Sequence, residues 1–166
     1  MSDFSRPAWQ EKQLRRVLKL SKLNGMSVMI FGILGGVIGV FSVSLEGILM
    51  GILIAGSGWV ELEGRKKLMA GSPDASLWLM GGEALLLFVI VIYSVAHLLA
   101  VDPTNALNML SPEMKSMISG SGGLPDQMVN ELIYSAYQWL YRGLIIGTVL
   151  YQGGTIAYYY LKTRDL

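Results

Sequence analysis

A few polar side chains interrupt otherwise apolar segments of this sequence, and these are the residues that could do chemistry. Glu83 is the most informative, because an ionisable group inside a long apolar stretch is costly and marks either function or a structural pair. Counting a helical rise of about 1.5 Å per residue from the end of each stretch places Glu83, Gln152 and Ser57 at similar depth. The sequence therefore predicts an inner polar layer, with Tyr93 or Tyr151 nearby.

Two interpretations of this inner layer stay open. In the first, its side chains form hydrogen bonds between helices, each contributing about 0.6–2 kcal/mol in a membrane. In the second, Glu83 is a carboxylate that responds to protons or cations and lines a polar path from the inner side. The first interpretation, favoured here, predicts a structural or accessory membrane protein. The second predicts a small ion or proton channel or transporter, and a membrane enzyme is a distant third.

A second, outer layer is predicted from Glu46, Arg142 and His97. A pair between Arg142 and Glu46 would reduce the cost of placing either charge in a membrane; the alternative is that the arginine extends to the lipid head groups. His97 is the only histidine and cysteine is absent, so we predict no metal site and no cofactor. We also find no catalytic motif and predict no catalytic residue.

Four apolar stretches position these polar residues. A bilayer core about 30 Å thick requires roughly 20 mostly apolar residues in a helix. The chain is 52% hydrophobic and 15% charged, and the charges are concentrated between such stretches. The predicted fold class is all-α, an integral membrane bundle of four transmembrane helices. The spans are expected at about residues 23–43, 45–63, 76–100 and 136–160, within a membrane domain of residues 23–166.

The distribution of basic residues indicates the orientation of the chain. Of the 13 lysines and arginines, all but Lys115 and Arg142 fall within residues 6–22, 65–67 or 162–164. Cytoplasmic loops of membrane proteins carry an excess of these residues. We therefore expect a multi-pass protein of the cell membrane with both termini in the cytoplasm. The net charge of +1 gives no reason to expect a nucleic-acid partner.

Residues 1–22 are expected to form a cytoplasmic amphipathic helix on the inner surface of the lipid bilayer. Its basic residues would meet anionic head groups, at about 1 kcal/mol each near the surface. A general anchor is the simpler interpretation, and specific lipid recognition is the alternative. The residues expected to contact head groups are Lys12, Arg15, Arg16 and Lys19.

Small residues recur at four-residue spacing in the first two predicted spans, where they allow two backbones to approach closely. We expect a close hairpin, joined by a tight turn near residues 42–46 with Ser44 as the N-cap of the second helix. The same stripe could instead face another subunit, and we expect a homo-oligomer or a subunit of a larger membrane complex. The expected packing residues are Gly32, Gly35, Gly36, Gly39, Gly47 and Gly51.

Residues 102–134 are the only sizeable segment expected outside the cell. Ser111-Pro112-Glu113 is a typical helix start, and Pro125-Asp126 begins a second helix that would continue into the fourth span. The methionines of this segment most simply fill apolar gaps. Binding of copper(I) by their thioether sulfurs is the alternative.

Two further groups are expected to have ordinary roles at the membrane boundary. Tyrosines at both ends of the fourth span, including Tyr137 and Tyr159, match the aromatic belts of membrane proteins. Residues 61–71, which begin with Glu61, are expected to form a charged cytoplasmic loop or helix extension.

Overall fold

The chain is all-helical over the residues that the computed structural model describes, which are 7–100, 111, 113 and 126–164. These residues form α1 (Ala8–Phe41), α2 (Leu45–Met69), α3 (Ala75–Ala100) and α4 (Asp126–Thr163). Of these four helices, α1, α2 and α3 are long and apolar enough to cross a membrane, which indicates a multi-pass membrane protein. Arg142, Gln152 and several tyrosines interrupt the apolar residues of α4, so a fourth span stays a prediction.

The first helix differs from the sequence-based expectation. Residues 8–41 form one helix without a break, so the predicted amphipathic surface helix is not a separate element. Val17 and Ser21, within the part expected to lie on lipid, are fully buried against protein instead. The methionine-rich part of residues 102–125, with the copper alternative, lies outside the described residues apart from Ser111 and Glu113. From Asp126 to Thr163 the chain is one helix, so the second predicted helix continues into the residues of the predicted fourth span.

Contacts divide the chain into two compact units. The first unit contains α1, α2, the part of α3 up to Val89 and the part of α4 from Thr148 onward. Its core is a cluster of buried apolar side chains, to which each of these four helical segments contributes. The members are Val17, Leu68, Ala75, Leu79 and Tyr159.

The second unit, taken by itself, comprises the described residues among 90–147. Its side chains form a group of aromatic rings around His97. The ring of His97 is stacked on Tyr141 with 5.1 Å between centroids, and Tyr93 lies 4.3 Å away. His97 Nδ1 and the hydroxyl of Tyr137 are 2.8 Å apart, within hydrogen-bond distance.

A three-residue turn joins α1 to α2. Ser44 caps α2, since its side chain accepts a hydrogen bond from Gly47 N at 3.1 Å. Val43 has a φ of 52°, a left-handed conformation that is unfavourable for a β-branched residue. This strained residue lets the chain reverse direction within three residues, as the predicted tight turn requires.

Glycines hold α1 and α2 in backbone contact along their length. A Cβ atom added at Gly32 would lie 2.2 Å from the backbone nitrogen of Ala55, and one added at Gly58 would lie 2.6 Å from the carbonyl oxygen of Gly25. Because real Cβ atoms do not approach backbone atoms this closely, only glycine allows this separation of the two helices.

We expect Gly32→Ala to destabilise the protein by about 1–3 kcal/mol, because the added methyl group must push α1 away from Ala55. Thermal unfolding in mild detergent measures this effect. Gly35→Ala is the matched control: it changes the same helix by the same group, but nothing lies within 4 Å of its added Cβ. Equal melting temperatures for the two variants would contradict the close-contact interpretation.

Candidate functional site

Two buried glutamates accept hydrogen bonds from a single amide group. The Nδ2 atom of Asn24, on α1, donates to Glu61 Oε2 on α2 at 3.0 Å and to Glu83 Oε1 on α3 at 2.5 Å. Each glutamate is only 1% exposed. A carboxyl group removed from water needs such donors, because the loss of hydration is not otherwise compensated.

Two tyrosines of α4 complete the arrangement. The hydroxyl of Tyr159 donates to Glu61 Oε1 at 2.5 Å, and that of Tyr151 donates to Asn24 Oδ1 at 3.2 Å. The bond from Tyr151 determines the orientation of the Asn24 amide. Because the amide oxygen accepts from Tyr151, the NH2 group faces the two glutamates. We call Asn24, Glu61, Glu83, Tyr151 and Tyr159 the Asn24 cluster.

Close helix packing brings the two glutamates together. A Cβ atom on Gly82, which precedes Glu83, would lie 2.9 Å from the backbone nitrogen of Glu61. One on Gly64 would lie 2.7 Å from the backbone nitrogen of Leu79. With glycine at both positions, α2 and α3 approach closely enough for their carboxyl groups to share one donor.

No basic side chain neutralises the cluster within the described part of the chain. The salt bridges found there join Arg15 to Glu11 and Lys66 to Glu63. Arg65, one turn after Glu61, donates its Nε hydrogen to a backbone carbonyl of α1 at 3.2 Å. Two buried carboxyl groups that accept from one NH2 group, with no basic side chain paired to them in the described residues, repel each other when both are charged.

Two buried side-chain oxygen atoms of the first unit lack a hydrogen-bond partner among the described residues. They are Glu83 Oε2 and the side-chain oxygen of Gln152, a residue that is 5% exposed. Gln152 and Tyr159 are seven residues apart on α4 and so lie on the same helix face. Of the two oxygens, only Glu83 Oε2 belongs to a titratable group, because the amide oxygen of Gln152 accepts hydrogen bonds but does not take up a proton.

The three residues of the predicted inner layer are all buried in this first unit. Glu83 belongs to the Asn24 cluster, and Gln152 faces the same side of α4 as Tyr159. Ser57 is 1% exposed, and its hydroxyl donates to the carbonyl of Ile54 in its own helix at 2.7 Å.

The residues of the predicted outer layer have other surroundings. His97 contacts tyrosines, as described above, and is half-buried. Glu46 is exposed in the first turn of α2, and Arg142 is exposed on α4. The Arg142–Glu46 pair therefore stays a prediction.

The glycines expected to pack helices occupy two kinds of position. Gly32, Gly39, Gly47 and Gly51 lie at backbone contacts between α1 and α2, and a Cβ atom added at Gly51 would lie 2.4 Å from the Cα atom of Gly36. Gly35 faces open space.

The residues expected at lipid head groups are all exposed on α1. Arg15 forms a salt bridge of 2.6 Å with Glu11, which partly neutralises the positive charge of Arg15. Lys12, Arg16 and Lys19 form no salt bridge within the described residues.

Sequence reasoning missed three members of the cluster. Asn24 lies in the uncharged run of residues 23–45 and gives no charge signal. The composition predicts a charged loop or helix extension at Glu61 and an aromatic belt at Tyr159. One signal was available: Ser57, Glu61 and Gly64 recur at spacings of four and three, which places them on one face of α2. That face differs from the glycine face of α2 that contacts α1. In the structure it packs against α3, where a Cβ atom on Gly82 would lie 3.0 Å from the carbonyl oxygen of Ser57.

Comparison with protein-family models, with curated proteins and with solved structures finds no match for this chain.

We expect Asn24→Leu to lower the free energy of unfolding by about 1–3 kcal/mol, because both carboxyl groups lose their shared donor. Adding Glu83→Gln removes one of the two acidic groups, so the double variant should be more stable than the sum of the single effects predicts. Thermal unfolding of the four proteins in detergent measures this coupling. Ser27→Ala, which removes a hydroxyl bonded only within α1, serves as the near-neutral control.

Additive effects of Asn24→Leu and Glu83→Gln would show that the amide and the carboxyl group do not act together.

Proposed function

We propose that this protein binds and releases a proton at the Asn24 cluster while moving an ion or proton across a membrane, as a small channel or transporter. The observation that carries this proposal is the pair of fully buried glutamates sharing one amide donor without a basic partner in the described residues. Ionisable groups within membrane helices are rare because they are costly, and they usually mark ion pathways or proton relays.

The chemistry of the cluster favours a proton over a metal ion. The group that Asn24 directs at both glutamates is its NH2, a hydrogen-bond donor that cannot ligate a cation. Its oxygen, which could act as a ligand, is occupied by Tyr151. A proton needs only an acceptor, and Glu83 Oε2 supplies one.

The proposed setting is the cell membrane, crossed by four helices with both termini in the cytoplasm. The basic residues at the start of α1, at the end of α2 and at the end of α4 support this orientation. At 38 residues, α4 is long enough to cross a bilayer. Burial of its Gln152 and Tyr159 in protein lowers the cost of its polar side chains in that position.

We expect Glu83→Gln to abolish proton flux into liposomes while the protein still folds and assembles. Glutamine keeps the size of the side chain and can still hydrogen-bond, but it cannot take up and release a proton. A pH-sensitive dye trapped inside the vesicles, with an imposed membrane potential, measures the flux.

Glu63→Gln is the matched control, because it removes a carboxyl group of α2 that pairs with Lys66 outside the cluster. It should leave the flux within about twofold of the wild type, since surface ion pairs contribute little. Equal flux through the wild type and Glu83→Gln, or no flux through the wild type, would reject the transport proposal.

A second candidate function is a structural or accessory role within an oligomer or a larger membrane complex. It is favoured by Gly143 and Gly147 of α4, which are exposed, lie four residues apart, and have nothing within 4 Å of an added Cβ. Small residues at this spacing allow helices to pack in membranes. Here they would contact another copy of the chain or another subunit.

For this second function we expect Gly147→Ile to shift the assembly toward the monomer, because the branched side chain prevents close helix approach. Mass measurement of the complex in mild detergent tests this expectation. Gly56→Ile changes a glycine of α2 that is also without neighbours within 4 Å, and it provides the control. A wild-type protein that is monomeric in mild detergent would reject the oligomer.

A further inference from the structure

A small basic cavity lies where the start of α1 meets the end of α4. Its volume is about 170 Å³, and its lining residues are Trp9, Lys12, Gln13, Arg16, Tyr158 and Lys162. The residues from α1 are spaced so that one helix face presents all four to the cavity. Three of the six are cationic, and none of the described lining residues is acidic.

The cations of this cavity are not paired with acidic side chains of the described residues. Lys12, Arg16 and Lys162 take part in no salt bridge within the described residues. Arg15, adjacent in sequence, is held by Glu11 at 2.6 Å. The cavity therefore collects positive charge that the described part of the protein does not neutralise.

One hydrogen bond joins the two walls of the cavity. Gln13 donates its side-chain amide to the backbone carbonyl of Lys162 at 2.6 Å. This carbonyl belongs to the last turn of α4, where carbonyl groups have no hydrogen-bond donor within the helix. The bond ties α1 to α4, so that cations from both helices border one cavity rather than two separate surfaces.

We propose that this cavity binds the phosphate of an anionic phospholipid head group. Arg16 offers planar paired donors that suit phosphate oxygens, and the two lysines add point charges. Trp9 and Tyr158 are residue types that favour the membrane interface. Two apolar side chains near the lining residues in sequence, Leu20 on α1 and Leu161 on α4, are exposed and would provide a surface for acyl chains. A free phosphate ion would make no use of this apolar surface.

Native mass spectrometry of the full chain in mild detergent tests the proposal, with phosphatidylglycerol titrated against phosphatidylcholine. We expect the wild type to retain phosphatidylglycerol preferentially. Lys12→Gln, Arg16→Gln and Lys162→Gln should each weaken retention about fivefold, the effect of one basic residue near an anionic lipid. Lys19→Gln removes an equal charge from α1 outside the cavity, and it should change retention by less than about twofold.

Several results would overturn the proposal. Equal retention of the two lipids would show that head-group charge is not recognised. Equal losses from Lys19→Gln and Lys12→Gln would show diffuse attraction without a site. Displacement of phosphatidylglycerol by millimolar inorganic phosphate would assign the cavity to free phosphate. Melting temperatures of all variants are compared with the wild type to exclude unfolding. Arg16→Lys, which keeps the charge but loses the paired donors, should bind more weakly than the wild type and more tightly than Arg16→Gln.

Discussion

The hydrogen bonds of the Asn24 amide connect the helices of the first unit at one point. Asn24 comes from α1, its two acceptors from α2 and α3, and the tyrosine that orients it from α4. In a low-dielectric interior such bonds are strong, and an unpaired carboxyl group there is correspondingly expensive. The register of each helix is therefore determined by the hydrogen-bond partners that its buried polar group finds on the other helices. A shift of any one helix by a residue would leave a buried polar atom without its partner.

Glycine contacts make this network geometrically achievable. Side chains as short as asparagine and glutamate can meet only when their helices lie close together, and Gly58, Gly64 and Gly82 allow that approach. Van der Waals packing of backbones and polar interactions are the two forces that hold helices together in lipid, where the hydrophobic effect is weak between them. In this protein the two occur at the same level of the helices. The glycines determine the spacing, and the cluster determines the register.

Composition and spacing predicted the helical class, the tight hairpin and four apolar spans, of which α1, α2 and α3 are confirmed as long apolar helices. Long apolar runs and four-residue glycine patterns are local properties, which is why the sequence reveals them. The cluster was predicted only in part. Glu83 stands out within an apolar run, whereas Glu61 borders a charged segment and resembles a loop residue. The burial of Glu61 depends on how far α2 continues beyond the apolar run and on which helices pack against it. Both depend on tertiary structure and not on the local sequence. The unbroken course of α1 was missed for a related reason: a change in composition at residue 22 does not require a change in backbone conformation.

The continuity of α1 also has a mechanical consequence. At about 1.5 Å per residue, Arg16 and Asn24 are separated by ~12 Å of hydrogen-bonded helix, with neither proline nor glycine between them. Such a segment bends little, so a tilt or rotation imposed at its basic end appears at Asn24 almost undiminished. The same helix carries the basic side chain of Arg16 and, two turns later, the Asn24 amide that donates to both glutamates. In the proposed lipid complex, a head group bound at the first turns of this helix would therefore influence the geometry of two glutamates that it does not contact.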